Sequence, residues 1–175
     1  MVFILLMFLI DNFYSKEDWI KVNDIINNLK FKETYQPRHS PNIDNRLKAY
    51  PCHEAHSDEL INILTKTLKE KTDLNIGFVR SAIRKIYLDE LLQSPLGTEG
   101  SLHYDHACQF AGVVYFDGLS IKGGTSLYFH NEQFEPDVMY AARPNRAVIY
   151  KADTLHCANY DKAYKQRIIQ TIFVS

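Results

Sequence analysis

The second half of the chain is a succession of short β-like runs, and this constrains the fold more than any other feature. Turn-forming residues separate the runs, at Gly118, Gly123, Gly124, Pro144 and Asn145. The pattern predicts strands over residues 76–88, 102–105, 110–116, 125–130, 138–142, 147–150, 154–158 and 167–174. Many short strands after a helical segment indicate a mainly β protein of the α+β kind, built as a sandwich or jelly roll.

The first part of the chain is predicted to supply helices that support this sheet. Residues 1–10 are almost wholly apolar and are expected to form a buried strand. Ser15 is a suitable N-cap for a helix whose apolar residues then recur at helical spacing. A second helix is predicted over residues 57–70, and the proline-containing residues 35–51 between the two helices are expected to form a long loop.

Length and charge limit the class of protein. A chain of 175 residues fits one domain, with helical support over about residues 1–75 and a β core over about residues 76–175. With a net charge of −1, the chain does not have the excess of basic residues that tight nucleic-acid binding needs, and this counts against a nucleic-acid partner. The apolar start is too short to span a membrane and lacks the basic region of a signal peptide, so we expect no membrane partner and a cytoplasmic location.

The cysteines agree with a reducing compartment. Cys52, Cys108 and Cys157 are an odd set without paired spacing, which does not fit the disulfide framework of a secreted protein. A zinc site built from these thiols is a weak alternative, because the sequence has no C-x-x-C pair.

A candidate metal site begins with the His103-Tyr104-Asp105 sequence. Side chains one residue apart on a strand point to the same side, so His103 and Asp105 can act together. His156, on a distant predicted strand, would complete a set of two histidines and one carboxylate, which suits non-heme Fe(II) and leaves coordination positions open. A His-x-Asp sequence alone is a weak signal, and it gains value from its position. The same alternation sends His106 to the opposite face, at the surface or behind the ligands.

An arginine on the last predicted strand adds a second element to the site. Arg167 lies eleven residues after His156 and could bind the far carboxylate of a dicarboxylic co-substrate in a bidentate ion pair. Thr171 shares its strand face, and the Tyr115 hydroxyl could donate to the same carboxylate. The alternatives are an outward arginine on an edge strand and a core tyrosine without a ligand role. With the candidate metal ligands, Arg167 indicates an Fe(II)/2-oxoglutarate-dependent oxygenase.

Several segments of the chain resemble, in the same order, the prolyl-hydroxylase-like branch of the Fe(II)/2-oxoglutarate oxygenase superfamily. They are FLIDNFYSKE at 8–17, HYD at 103–105, GVVYFD at 112–117, GGTSLYF at 123–129 and NRAVIY at 145–150, followed by His156 and Arg167. The resemblance spans nearly the whole chain and is strongest from about residue 83 to the end. It is closest to small oxygenases of phage and marine bacterial genomes.

This resemblance implies a fold and a set of site residues. The fold is a double-stranded β-helix, a distorted jelly roll with helices packed on its major sheet. The positions of the metal ligands are His103, Asp105 and His156. Arg167 stands where the family binds the C5 carboxylate of 2-oxoglutarate, and Tyr115 stands where a tyrosine assists that arginine. Tyr87 corresponds to a second family tyrosine, although the segment 88–101 that follows it is longer here.

The implied reaction is hydroxylation of an unidentified substrate with consumption of O2 and conversion of 2-oxoglutarate to succinate and CO2. The substrate would be peptidyl, with proline as the family default, or a small molecule, because a fold does not transfer a substrate. Demethylation of nucleic acid is an alternative that the near-neutral charge disfavours. A non-catalytic or cupin-like metal-binding jelly roll is another, and it would not need Arg167. The sequence does not predict the oligomeric state.

Overall fold

The chain forms two antiparallel sheets and three helices within the part described by the computed structural model, residues 7–37, 49–93, 102–105, 107–118, 120–129 and 135–175. In chain order the elements are β1 (Met7–Asp11), α1 (Lys16–Asn28), β2 (Lys32–Pro37), β3 (Ala49–Ala55), α2 (Asp58–Lys71), β4 (Val79–Arg80), β5 (Ile83–Tyr87), α3 (Leu88–Gln93), β6 (Phe110–Tyr115), β7 (Ser120–Tyr128), β8 (Val138–Ala142), β9 (Arg146–Lys151), β10 (Leu155–Asn159) and β11 (Gln166–Val174).

The two sheets face each other across a shared apolar core. The larger sheet has eight strands in the order β1-β9-β6-β11-β5-β3-β2, with β4 paired to β11, and the smaller sheet has the order β10-β7-β8. Their inner faces meet in a cluster that includes Tyr115, Leu127, Val148 and Ile169. The mainly β jelly roll predicted from the sequence is therefore confirmed.

A second core lies between the helices and the outer face of the larger sheet. Alternation along β11 explains how one strand serves both cores: Ile169 packs between the sheets, whereas Ile172 packs beneath the helices. Val22 of α1 and Leu64 of α2 are fully buried in this second core. The last strand thus carries its odd-numbered residues, Arg167 among them, towards the smaller sheet.

Both predicted helices begin where their caps indicate. The Ser15 hydroxyl accepts a hydrogen bond from the Asp18 amide at 3.0 Å, and the Ser57 hydroxyl accepts one from the Leu60 amide at 3.3 Å. Acidic residues occupy the first turn of each helix, where the helix dipole favours them. None of the helices in the described ranges is long and apolar enough to cross a membrane.

The helical and β regions are not separated along the chain at residue 76 as expected. Strands β1, β2 and β3 all precede that residue and join the larger sheet. The predicted loop over 35–51 is also corrected at its ends, because Tyr35 to Pro37 pair with Pro51 to Ala49; residues 38–48 lie outside the described residues. Prolines are tolerated here because β2 ends the described sheet, and the pairing of β3 with β5 begins only at His53.

The strand predicted over 76–88 is interrupted. It divides into β4 and β5 at Ser81 and Ala82, and α3 begins at Leu88. At the break, the Ala82 amide donates to the Thr171 hydroxyl at 3.1 Å and the Thr171 amide donates to the Ala82 carbonyl at 2.9 Å. A side chain thus replaces one rung of the ladder, which periodicity along a single strand does not reveal.

Close contact between β6 and β9 predicts a strong effect of Gly112→Ala. An added methyl group would collide with the Val148 carbonyl oxygen and lie 3.0 Å from the Ile149 Cα atom. Since β6 is held between β9 and β11, neither neighbour can move away freely. We expect the free energy of unfolding to fall by about 2–4 kcal/mol, measured by urea denaturation. An unchanged unfolding midpoint would show that β6 and β9 can separate at this point.

Candidate metal centre and co-substrate pocket

His103, Asp105 and His156 bring three candidate ligand atoms together. One ligand atom from each residue lies within 4.8 Å of the others, and no other such group occurs in the described part of the chain. Asp105 Oδ1 is 3.7 Å from His103 Nε2, and Asp105 Oδ2 is 3.4 Å from His156 Nε2. Two imidazoles and one carboxylate at these separations suit a small divalent cation, and this donor set is typical of non-heme Fe(II) with open positions.

Backbone hydrogen bonds hold the two halves of this group side by side. The amides of His103 and His156 each donate to the carbonyl of the other residue at 3.0 Å, in a single antiparallel bridge. The Asp105 amide donates to the Ala152 carbonyl, also at 3.0 Å. The strand predicted over 102–105 is therefore reduced to this bridge, yet it still sets His103 and Asp105 against the start of β10.

His156 is held in the form that a metal requires. Its Nδ1 lies 3.0 Å from the Thr154 carbonyl, so Nδ1 carries the proton and Nε2 faces Asp105 with a free lone pair. The residue is 5% exposed, and its ring packs against Tyr150 at a centroid distance of 4.6 Å. Burial lowers the pKa of His156 to about 4, and the neighbouring His103 acts in the same direction. The imidazole is consequently neutral at neutral pH and able to bind a cation.

This lowered pKa predicts acid destabilisation of the metal-free protein. The pKa of His156 is 6.5 as a free side chain and about 4 in the fold, so the unfolded chain takes up the proton first as the pH falls. The associated stability is present above pH 6.5 and is lost between about pH 6.5 and pH 4. We expect a loss of about 1–3 kcal/mol between pH 7 and pH 4.5, measured by urea unfolding in chelator. The loss should be smaller in His156→Gln, and equal losses would contradict this cause.

Arg167 is half-buried beside the smaller sheet, and part of its guanidinium is unsatisfied. It lies between the rings of Tyr115 and Tyr160, at 5.3 and 5.2 Å from their centroids, and Nη1 donates to the Asn159 carbonyl at 2.9 Å. Its Nε is buried and has no hydrogen-bond partner. Because a buried donor of a charged group is costly to leave without a partner, this arrangement fits an anion that binds there. Nε and the adjacent Nη2 form the edge of the fork that grips a carboxylate.

Arg167 lines a cavity between the two sheets. Both sheets and the segment after β10 contribute to its walls, which also include Ile86, Leu88, Asp117, Gly118, Gly123, Gly124, Ala142, Asn159, Tyr160, Asp161, Tyr164 and Gln166. The three candidate metal ligands do not line the cavity. Strand β10 connects the two sites, because it contains both His156 and the cavity residue Asn159. Asn159 lies three residues after His156, roughly 10 Å along the strand, which a short dicarboxylate chelating a metal at one end can span.

Tyr115 is brought to Arg167, although its hydroxyl has another contact. The residue is fully buried, and its hydroxyl oxygen lies 2.6 Å from Thr125 Oγ1, where either group can donate. When Thr125 donates, the phenol proton is available for a ligand beside the arginine. Burial raises the pKa of Tyr115, so the phenol keeps this proton.

The structure does not bring Thr171 and Tyr87 to Arg167 in the same way. The Thr171 hydroxyl shares the inner face of β11, but it accepts from the Ala82 amide and donates to the Ala82 carbonyl. Cross-strand register places Tyr87 on the face opposite Arg167, where its ring contacts His53 at a centroid distance of 5.0 Å. Neither residue has a contact that supports the predicted role.

Three contributors to the site were not predicted from the sequence. Asp117 lines the cavity. It lies two residues after Tyr115, so alternation along β6 could have predicted that both side chains point to the same side. Asn159 contributes its backbone carbonyl, which no pattern of side chains in the sequence can indicate. Tyr150 contacts His156 only because folding brings the two residues together. His106 and residues 94–101 of the longer segment 88–101 lie outside the described residues.

Comparison with known proteins assigns the fold. No protein-family model matches the sequence, and a search of curated proteins finds no match. Among solved structures, an oxidoreductase of the 2OG-Fe(II) oxygenase family from Burkholderia pseudomallei superposes with a TM-score of 0.66 at 12% identity, covering 97% of this chain and 84% of that one. The non-heme alpha-ketoglutarate-dependent epimerase SnoN from nogalamycin biosynthesis gives 0.60 at 10% identity, with 98% and 79% covered.

A third similar structure is a prolyl hydroxylase from Trichoplax adhaerens, solved with a peptide fragment of the hypoxia inducible factor oxygen degradation domain. It superposes with a TM-score of 0.58 at 15% identity, covering 96% of this chain and 82% of that one. The fold of this chain is therefore the one found in 2-oxoglutarate-dependent Fe(II) oxygenases. The double-stranded β-helix implied by the sequence resemblance is confirmed.

Proposed function

We propose that this protein is an Fe(II)- and 2-oxoglutarate-dependent dioxygenase that hydroxylates a peptidyl or small-molecule substrate. One observation carries the proposal: strand β10 contains His156, a member of the two-histidine, one-carboxylate group, and Asn159, whose carbonyl accepts from the half-buried Arg167. The Nε of that arginine is buried and has no hydrogen-bond partner. A jelly roll that only binds metal has no use for an arginine whose buried Nε is left without a partner.

The metal would be held by His103, Asp105 and His156. When bound there, Fe(II) supplies the reaction of O2 that inserts one oxygen atom into a substrate C–H bond and the other into succinate as 2-oxoglutarate loses CO2. The donor set fits this ion because its two neutral imidazoles and one carboxylate leave a net positive charge and open positions for the co-substrate.

The chain's own residues would bind, orient and shield the co-substrate. Arg167 offers Nε to the C5 carboxylate while the Asn159 carbonyl holds its other side. Tyr115 supports the guanidinium with its ring and can offer its phenol proton. Ile86 and Leu88 provide apolar walls that exclude water and strengthen the ion pair.

The substrate is proposed to be peptidyl, with prolyl residues included. Support comes from the Trichoplax prolyl hydroxylase, which shares the fold and was solved with a peptide. A small molecule is the second candidate because the epimerase SnoN also shares the fold. We propose a cytoplasmic location, which the three free thiols Cys52, Cys108 and Cys157 support.

An anaerobic titration of the native protein with Fe(II) and then 2-oxoglutarate tests the proposal. The expected result is a visible metal-to-ligand charge-transfer band that appears only when both are present, followed by succinate release on admission of O2. A folded, iron-loaded protein without the band would contradict the proposal. It would identify the chain as a metal-binding jelly roll without a co-substrate.

A further inference from the structure

Asp117 is fixed by one of its two carboxyl oxygens. It follows β6, where the Phe116 amide donates to the Ile168 carbonyl at 3.1 Å and the Ile168 amide donates to Asp117 Oδ1 at 2.8 Å. These bonds extend the ladder between β6 and β11 by one step and hold the carboxyl group in place. The other oxygen, Oδ2, is buried and has no hydrogen-bond partner.

Two residues that line the cavity therefore carry buried, unsatisfied polar atoms of opposite character. Asp117 Oδ2 is one, and Arg167 Nε is the other. Leaving such buried groups without a partner is costly. A ligand in this cavity can satisfy both atoms at once.

The charge of a bound carboxylate determines which protonation state of Asp117 is compatible with binding. A carboxylate can accept from Arg167 Nε, but it would repel an ionised Asp117 across the same cavity. A neutral Asp117 instead donates its proton from Oδ2 to the ligand, as when two carboxyl groups share one proton. Burial raises the pKa of Asp117, against the opposing effects of the Ile168 amide and the Arg167 charge, and a bound anion would raise it further.

Few other ionisable groups face Asp117. Arg167 on β11 is the cation, and Asp161, Tyr160 and Tyr164, in the segment after β10, are the other ionisable groups that line the cavity. Asp161 Oδ1 accepts from the Ala163 amide at 2.9 Å, which turns that oxygen towards its own loop. Asp117 is thus the carboxyl with a buried oxygen left unpaired beside Arg167.

We propose that Asp117 is a recognition residue for the co-substrate, which donates a hydrogen bond from its neutral carboxyl group to the carboxylate that Arg167 binds. This inference rests on the proposed function. This hydrogen bond makes the pocket selective for an anionic acceptor. It also couples binding to protonation, because a protein whose Asp117 is ionised in the free state takes up one proton when the ligand binds.

Binding of 2-oxoglutarate to protein saturated with Mn(II), measured by calorimetry between pH 6.5 and pH 9, tests this role. We expect the native dissociation constant to rise with pH, approaching tenfold per unit above the pKa of Asp117. Asp117→Asn keeps a donor of the same shape without a charge, so its affinity should be at least as high and its pH profile flatter. Asp117→Ala should bind about tenfold more weakly at pH 6.5. The exposed Asp153→Asn is the control and should follow the native profile.

Parallel profiles for native protein and Asp117→Asn, with Asp117→Ala binding as tightly as native, would overturn the role of Asp117. If Asp117→Ala does not fold, because the Ile168 amide loses its acceptor, the native and Asn profiles decide the question by themselves. Failure of the proposed function has a different signature, namely native protein that binds Mn(II) but shows no 2-oxoglutarate binding at any pH.

Discussion

Asp105→Asn is expected to weaken Fe(II) and Mn(II) binding by at least about a hundredfold. The change keeps the size of the side chain but removes the only carboxylate of the candidate metal group, so His103 and His156 remain as a neutral pair. Metal affinity is measured by calorimetry with Mn(II) at pH 7.5. The fold should survive, because the Asp105 backbone amide keeps its bond to the Ala152 carbonyl.

The exposed Asp153→Asn is the matched control for that experiment. It removes the same charge three residues before His156 on the chain, and Asp153 is not part of the candidate metal group. The metal affinity of this variant should therefore stay within about twofold of native. Equal losses in both variants would mean that overall charge attracts the metal. Undiminished binding in Asp105→Asn would remove this residue from the ligand set.

Arg167→Gln is expected to weaken 2-oxoglutarate binding by about a hundredfold or more, with metal binding unchanged. Removing one partner of a hydrogen-bonded charge pair that is shielded from water costs about 2–5 kcal/mol of binding free energy. Arg167→Lys retains the charge but loses the planar fork and the contact between two tyrosine rings, so we expect an intermediate loss. The measurement is a titration of the Mn(II)-loaded variants with 2-oxoglutarate.

Two controls separate recognition from stability in the arginine variants. Arg143→Gln removes an exposed arginine and should leave co-substrate affinity unchanged. Urea unfolding of Arg167→Gln is needed because Arg167 Nη1 also holds the Asn159 carbonyl. A folded Arg167→Gln protein with native affinity for 2-oxoglutarate would show that this cavity is not the co-substrate pocket.

Helices and most strands could be predicted because their signals are local. Ser15 and Ser57 bond to amides three residues ahead, so the start of each helix is written in a few adjacent residues. The strand predicted over 138–142 coincides with β8 because turn residues bound it on the C-terminal side. The interruption at Ala82 was missed because it depends on Thr171, which is distant in the sequence.

In the candidate site, too, local signals were predictive and contacts between distant strands were not. Alternation alone predicted that His103 and Asp105 act from one side, and the spacing to Arg167 drew attention to the last strand. Tyr87 was selected by resemblance, yet the pairing of β5 with β11 turns it to the other face. A shift of one residue in register reverses every side chain of a strand, and single-sequence patterns do not determine register between distant strands.

The sequence by itself determined the strand and helix periodicity, the helix caps and the residue types that can bind a divalent metal and an anion. Tertiary structure alone decided that His156 meets His103 across one bridge, that Thr154 sets its tautomer, and that Asp117 and Arg167 share a cavity. The physical reason is that alternation and capping act within a few residues. Burial, pKa and the pairing of polar atoms depend on groups that only the packed sheets bring together.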